Sequence, residues 1–392
     1  MKRTIISTIM GFAAMMAMAQ TPWDNVLSSV LENNAELRGN IAREMASVAQ
    51  NRAENALEGL EVGGERMWSA DPAKKDKWAV SVSQSFDYPG IYRARKQAND
   101  FNTQAFDYLQ LSLISDKALS VKLLIIDIIN AQARLDFYKQ VGENLQRMDS
   151  LTQRSFELGN VTILDVRKMQ LAVLDNDSRI STCESDVAVL MASLRGLGGV
   201  FSESDAMWQS YPIQCLLEPS RNPENYYEYH IGSFRSQAAQ AATEAIKLGA
   251  MPSFALGYRH AFEDGTHFNG LSVAVKLPSF SQKQRRNAAK LEAEALTAEF
   301  DGQLALTMAE AVGNYNSAMS LKASLEQYRN LSGDSSYLEL LKRAYDGGAM
   351  TIIDYLNEIN IFSDARLNYI DLEYRYNLTL ARLNRYRAIE FN

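Results

Sequence analysis

The chain is poor in the residues that build cross-linked or catalytic scaffolds. Only two cysteines, Cys183 and Cys215, occur among its 392 residues. That excludes a disulfide-stapled fold. Cys183 falls on a helical seam, where a thiol packs as a small hydrophobe, and a bond between the two stays open. Histidine is scarcer still for the length, at three. His260 and His267 flank a strand turn and His230 stands alone. His260 and His267 could face each other, but two histidines without a third ligand rarely make a metal site, so neither metal nor cofactor is expected. There is no Gly-x-Ser-x-Gly, no phosphate loop and no His-Glu-x-x-His, and the reading is of a non-enzyme. Positive charge is short as well. The 40 basic residues face 47 acidic ones, a net of −7, which argues against a nucleic-acid partner. Beyond the N-terminal segment no uncharged apolar run reaches the roughly 18 residues of a spanning helix. The best stretch, Leu119–Ile129, carries Lys122 and Asp127.

What the chain does contain begins with an export signal over 1–19. Lys2 and Arg3 precede an apolar run from Ile5 to Met18, and Ala17-Met18-Ala19 fits a small-x-small cleavage site. Its removal leaves 38 basic against 47 acidic residues, a net of −9.

The remainder is duplicated. Ser155–Val166 and Ala344–Tyr355 share an aromatic (Phe156, Tyr345), a glycine (Gly159, Gly348), a threonine (Thr162, Thr351) and an aspartate (Asp165, Asp354), always 189 positions apart. Pro89 and Pro278 repeat at the same offset, as do Asn33-Asn34 and Asn222-Pro223. An internal repeat governs the fold reading. Repeat 1 spans 20–203, a link spans 204–222, and repeat 2 spans 223–392. Each glycine–threonine–aspartate stretch reads as a helix end, a tight turn and a helix start. Glycine closes the first helix in the left-handed region. Threonine with an acid three residues later caps the second. Arg154, Arg167, Lys342 and Arg343 flank these tips.

Two periodicities alternate along each repeat. Helical pattern covers 24–59, 93–158 and 163–200 in the first, and 223–249, 282–346 and 351–390 in the second. Residues 93–158 contain no proline and would span roughly 100 Å as helix. Heptad seams line these helices: Val166, Met169, Val173, Asn176, Ile180, Cys183, Val187, Leu190, Leu194 and Leu197 on one, and Tyr355, Phe362, Tyr369, Tyr376 and Leu383 on another. Strand pattern covers about 60–69 and 77–88, then about 251–262 and 267–278. Trp78, Val80, Val82, Phe86 and Tyr88 alternate with Ala79, Ser81, Ser83, Ser85 and Asp87, apolar on one face and small or polar on the other. A transmembrane barrel strand must show this pattern, and a soluble sandwich strand also can. Four strands do not close a barrel, because open edges in a bilayer leave backbone groups unpaired. Barrels start at about eight strands, so a membrane reading requires several chains.

At this point the residues resemble the TolC family of outer-membrane efflux proteins. The resemblance covers nearly the whole mature chain. It is carried by Asn33-Asn34-Ala35-Glu36-Leu37, Ser83-Gln84-Ser85-Phe86-Asp87-Tyr88-Pro89, Leu277-Pro278-Ser279-Phe280 and the two tips. The Ser-Gln-Ser-Phe run is similar to the heavy-metal branch. The resemblance implies a mainly α fold with a small β part. Long antiparallel hairpins would build a periplasmic α-barrel, and four strands per chain would contribute to a trimeric twelve-stranded β-barrel. It implies a homotrimer in the outer membrane, in contact with its lipid and extending into the periplasm. The function implied is the exit duct of a tripartite efflux or type I secretion system, working with a periplasmic adaptor and an inner-membrane pump. Gly159, Thr162, Gly348, Thr351, Arg154 and Arg343 would meet the adaptor. Asp354, with Asp165 and Asn357, would stand at the periplasmic entrance. There an acid at the Asp354 position forms an anionic ring in the family, and Asn357 replaces a second acid found in some members. Both aspartates also fit a plain capping role. The alternative function is a soluble periplasmic coiled-coil scaffold without channel activity.

Overall fold

A computed structural model describes residues 22–68, 70, 76–202, 208, 210–212, 214–263, 265–278, 280–332 and 336–385. The export segment at 1–19 and part of the link at 204–222 lie outside the described residues. The chain forms two compact units. One comprises the residues up to Arg38, Leu113–Arg221 and those from Met308 onward; the other comprises Gly39–Ser112 and Asn222–Thr307. Each unit draws on both repeats.

The second unit holds the only sheet among the described residues. Its strands are β1 (Glu61–Met67), β2 (Lys77–Phe86), β3 (Ser253–Glu263) and β4 (Thr266–Lys276), all antiparallel in the order β1-β2-β3-β4. The β2–β3 pair joins the two repeats. Directly opposed residues share a face, so the register assigns the faces. Val62, Val82, Tyr258 and Leu271 form one row across the sheet, and Gly63, Ser81, Arg259 and Gly270 form the next row on the opposite face. The apolar face carries Trp78, Val80, Phe254, Leu256, Val273 and Val275 as well, all exposed, and Leu271 reaches 88% exposure. The other face is crossed by the Arg259–Glu65 ion pair at 2.8 Å. The alternation over 60–69 is weak, since Val62-Gly63-Gly64-Glu65 offers little apolar pattern, and β1 is expected there mainly from the repeat. It pairs with β2 along its whole length.

Helices flank this sheet in sequence: α1 (Pro22–Asn33), α2 (Ala35–Ala53), α3 (Pro89–Glu157), α4 (Ile163–Gly196), α5 (Tyr227–Leu248), α6 (Gln282–Ser332), α7 (Ser336–Asp346) and α8 (Ile352–Asn384). α3 starts at Pro89 rather than 93, because proline at the first helical position gives up an N–H that would have no partner there. Within the second unit, Asn99 donates to the Asn51 carbonyl at 2.9 Å and ties α3 to α2. The rings of Tyr108 and His230 stack at 4.2 Å between α3 and α5. The hydroxyls of Ser236 and Thr297 meet at 2.8 Å between α5 and α6.

In the first unit the α4 seam is buried at Val166, Met169, Asn176, Cys183 and Leu194. The α8 seam is buried at Tyr355 and Leu383 and half-buried at Phe362, Tyr369 and Tyr376. One core cluster gathers Phe137, Val141, Leu145 and Met148 of α3, Met169 of α4, Leu341 of α7 and Ile352, Tyr355, Ile359 and Ile370 of α8. Cys183 is buried and Cys215 exposed, both as free thiols.

The single helix expected over 24–59 is two helices. The break is at Asn34, 5% exposed. Its Oδ1 accepts from the Leu37 N–H at 2.7 Å and so caps α2, while its Nδ2 donates to the Leu197 carbonyl at 2.8 Å, beside the end of α4. In the second repeat the capping asparagine stands one position earlier, at Asn222, the partner of Asn33; its Oδ1 accepts from the Glu224 N–H at 3.1 Å to cap the short turn Pro223–Asn225. Asn34→Ala removes the cap and leaves the Leu197 carbonyl unmet, for an expected loss of about 2 kcal/mol. Asn34→Ser keeps the cap but not the reach to Leu197, and is expected to lose about half of that. Urea unfolding followed by far-UV circular dichroism checks the order; equal midpoints for all three proteins would contradict it.

Candidate functional site at the hairpin tips

The residues singled out by the repeat lie at the two helix-to-helix turns of the first unit. α3 ends at Glu157, and α4 begins at Ile163. Gly159 takes φ 76°, a conformation in which a Cβ would be strained. Its N–H donates to the Phe156 carbonyl at 2.9 Å, and the Asn160 N–H donates to the Ser155 carbonyl at 2.9 Å. The second tip repeats this bond for bond. Gly348 has φ 70°, its N–H donates to the Tyr345 carbonyl at 2.9 Å, and the Ala349 N–H donates to the Ala344 carbonyl at 2.9 Å. Both are the paired bonds that satisfy the last carbonyls of a helix.

The next helix opens with a reciprocal cap in both places. The Asp165 N–H donates to Thr162 Oγ1 at 3.3 Å, and the Thr162 N–H donates to Asp165 Oδ2 at 2.9 Å. Thr162 Oγ1 donates to the same Oδ2 at 2.7 Å. At the second tip the corresponding distances are 3.2, 3.2 and 2.6 Å. These bonds favour the charged carboxylate. The Thr162 hydroxyl first, then its backbone N–H, hold Asp165 below the usual aspartate range, and Thr351 does the same for Asp354. All of the cap's bonds to the carboxylate fall on Oδ2, so the other carboxylate oxygen takes no part in it.

The flanking residues expected at this site divide. Asn357 and Arg154 are exposed. Arg343 is exposed and stands 3.8 Å from Glu339 on its own helix, a surface pair of small energetic weight. The two tips also differ in packing. Phe156 is 41% exposed and Leu158 71%, with Ile163 and Leu164 exposed next to them. At the second tip the Tyr345 ring packs 5.5 Å from that of Tyr355. Tyr355 is 1% exposed, and burial pushes its hydroxyl up to about 12.

Two polar ties near this core had no sequence signal. Tyr337 donates to Glu358 Oε2 at 2.7 Å and links α7 to α8. Tyr374 donates to Asp127 Oδ1 at 2.8 Å and links α8 to α3. Burial raises the Asp127 carboxyl while the Tyr374 hydroxyl opposes that shift. Among the described residues no group of three or more histidine, cysteine, aspartate or glutamate side chains is placed to hold a metal ion. No described helix is long and apolar enough to cross a membrane.

No protein-family model matches the sequence, and no curated protein matches it. Solved structures do match the fold. A membrane protein from Pseudomonas aeruginosa aligns with a TM-score of 0.79 at 17% identity, over 94% of this chain and 93% of that one. The outer membrane protein VceC from Vibrio cholerae aligns at 0.77 and 14% identity, over 94% and 96%. The Campylobacter jejuni CmeC outer membrane channel aligns at 0.75 and 16% identity, over 94% and 85%. The chain has the fold of these proteins nearly from end to end, the fold expected from its resemblance to the TolC family.

The caps set a pH dependence. A carboxylate whose folded-state pKa lies below its ordinary value near 3.8 stabilises the fold above that value, and loses the contribution as pH falls through the depressed one. Wild type is therefore expected to melt higher than the D165N/D354N double variant at about pH 6, with the gap closing below about pH 4. Thermal melts over that range check it; a gap that persists or widens in acid would contradict the cap.

Proposed function

We propose that the chain is the outer-membrane exit duct of a tripartite efflux or type I secretion machine, working as a homotrimer and without catalysis of its own. The observation that carries this reading is the sheet. It presents a continuous exposed apolar face and ends in two strands, β1 and β4, each paired on one side only among the described residues. A bilayer accepts such a sheet only when every edge is closed. Three copies, edge to edge, give a twelve-stranded barrel with the apolar rows towards lipid and the row of Gly63, Ser81, Arg259 and Gly270 towards the lumen. The fold likeness to VceC and CmeC, proteins of the outer membrane by their descriptions, supports the same reading. A soluble periplasmic scaffold would leave this face, with Leu271 at 88% exposure, in water. A patch of that kind marks an interaction surface rather than an inert one.

In this reading the helical hairpins form the periplasmic part, and their tips close the inner end. Phe156, Leu158, Ile163 and Leu164 offer an apolar surface to a periplasmic adaptor, with Arg154 and the backbone around Gly159 beside it. Asp354 and Asn357 stand at the entrance with Asp165, and three copies of Asp354 favour cations. Opening is a shift between two arrangements of the tips, driven by an adaptor that binds one better than the other. Energy comes from an inner-membrane pump.

Planar-bilayer conductance of the detergent-purified protein, with its mass in detergent, tests the proposal. A trimer passing a small cation-favouring current is expected. Asp354→Asn is expected to keep the trimer and lower the cation preference. A monomer that stays soluble without detergent and never conducts would overturn the duct.

A further inference from the structure

The β3–β4 hairpin brings two of the three histidines together on the apolar face of the sheet. His260 Nε2 and His267 Nδ1 are 3.3 Å apart. The rings are near parallel, at 24°, with centroids 5.3 Å apart. His260 is oriented from behind. Its Nδ1 lies 2.7 Å from Asn269 Oδ1, which also accepts from the Tyr258 hydroxyl at 2.6 Å. An amide oxygen only accepts, so His260 Nδ1 carries the proton and Nε2 carries the lone pair. This is the arrangement of metal-binding histidines, whose second nitrogen is held by an outer-shell acceptor. Around the pair stand Trp78, 5.5 Å from His260 by ring centroids, and Phe262, 4.9 Å from His267. His260 is half-buried and His267 exposed, and the Phe262–His267 pairing adjoins the turn-closing pair Glu263–Thr266, so the two rings sit at the rim of the apolar face, where water reaches them even with that face against lipid.

We propose that this pair is a two-histidine site for a divalent transition-metal ion of the copper, nickel and zinc class. The bite distance carries the argument. Two nitrogens at about 2.05 Å from one cation are about 3.3 Å apart in tetrahedral geometry and about 2.9 Å apart in square-planar geometry. The observed separation, now bridged by a hydrogen bond, already matches the tetrahedral bite, and a pivot of the near-parallel rings is needed to aim both lone pairs at one ion. Binding moves the His267 proton from Nδ1 to Nε2, through water, so both facing nitrogens coordinate and no proton is released. Water fills the remaining positions on the open side. Hard cations such as calcium and magnesium prefer oxygen ligands and gain little here. Imidazole ligands favour Cu2+ over the other two on the usual affinity order. The sequence places His260 and His267 on either side of a strand turn but offers no third ligand; the strand register and the Asn269 contact are what the structure adds. The inference stands on this hairpin alone and holds whether or not the chain conducts.

Cu2+ is the probe, since it quenches a tryptophan lying within a few ångströms. Titration of the untagged, detergent-purified protein is expected to give a saturable quench at one Cu2+ per chain, insensitive to Mg2+. Calorimetry runs alongside. His260→Ala and His267→Ala are each expected to abolish the saturable phase. Trp78→Phe is expected to keep the calorimetric binding and lose most of the quench. Asn269→Ala is expected to weaken binding about tenfold or more, by releasing the His260 ring. The mass in detergent and the melting temperature of His267→Gln show whether loss of binding accompanies loss of fold. A quench and binding isotherm unchanged in both histidine variants would overturn the site, as would a well-folded wild type that binds no Cu2+.

Discussion

Backbone N–H and C=O groups on a strand edge need partners, and where water is excluded each one left unpaired costs several kcal/mol. This sheet carries two such edges. Inside it the accounting is complete: β2 and β3 pair across the two repeats, and each has a hairpin partner from its own repeat. The duplication therefore does more than double the chain. It places two hairpins side by side in one continuous sheet and leaves β1 and β4 each paired on one side only among the described residues. In the proposed duct the same constraint sets the stoichiometry, since four strands per chain must be multiplied until a barrel closes.

At the hairpin tips the same accounting closes within the chain. The last carbonyls of one helix are met by the Schellman-type bonds around Gly159 and Gly348, and the first N–H groups of the next by Thr162–Asp165 and Thr351–Asp354. The cap keeps each aspartate charged, because the bonds it accepts favour the anion. Capping and an electrostatic role at an entrance are then not rivals. The bonds that hold the turn also hold the negative charge in place, and they occupy only one carboxylate oxygen.

Much of this was legible in the sequence because the signals are local. A change of period from 3.6 to 2 marks the hairpins, a heptad seam marks α4 and α8, and glycine followed by threonine and aspartate marks the tips. The failures are mostly long-range. At Asn34 the cap on Leu37 is local and asparagine is a preferred capping residue, so that part of the break was legible; the reach to Leu197, 163 residues away, was not. The Tyr374–Asp127 bond spans 247 positions and leaves no mark in either helix. The weak alternation of β1 has its own cause. Gly63, Gly64 and Glu65 offer little apolar pattern, and its pairing is set by β2.

The repeats agree most closely in backbone and least in what they show to a partner. Both tips make the same hydrogen bonds to within a few tenths of an ångström. Their side chains have diverged. The first tip exposes Phe156 and Leu158, whereas the second turns Tyr345 onto the buried Tyr355. An apolar ring in water gains nothing for the fold of an isolated chain, and a packed one does. The first tip therefore gains little from these side chains within the chain, and the second is stabilised within its own core. In the proposed duct, that division would suit the first tip to contact with an adaptor and the second, packed within its own core and carrying the Asp354 charge, to the gate.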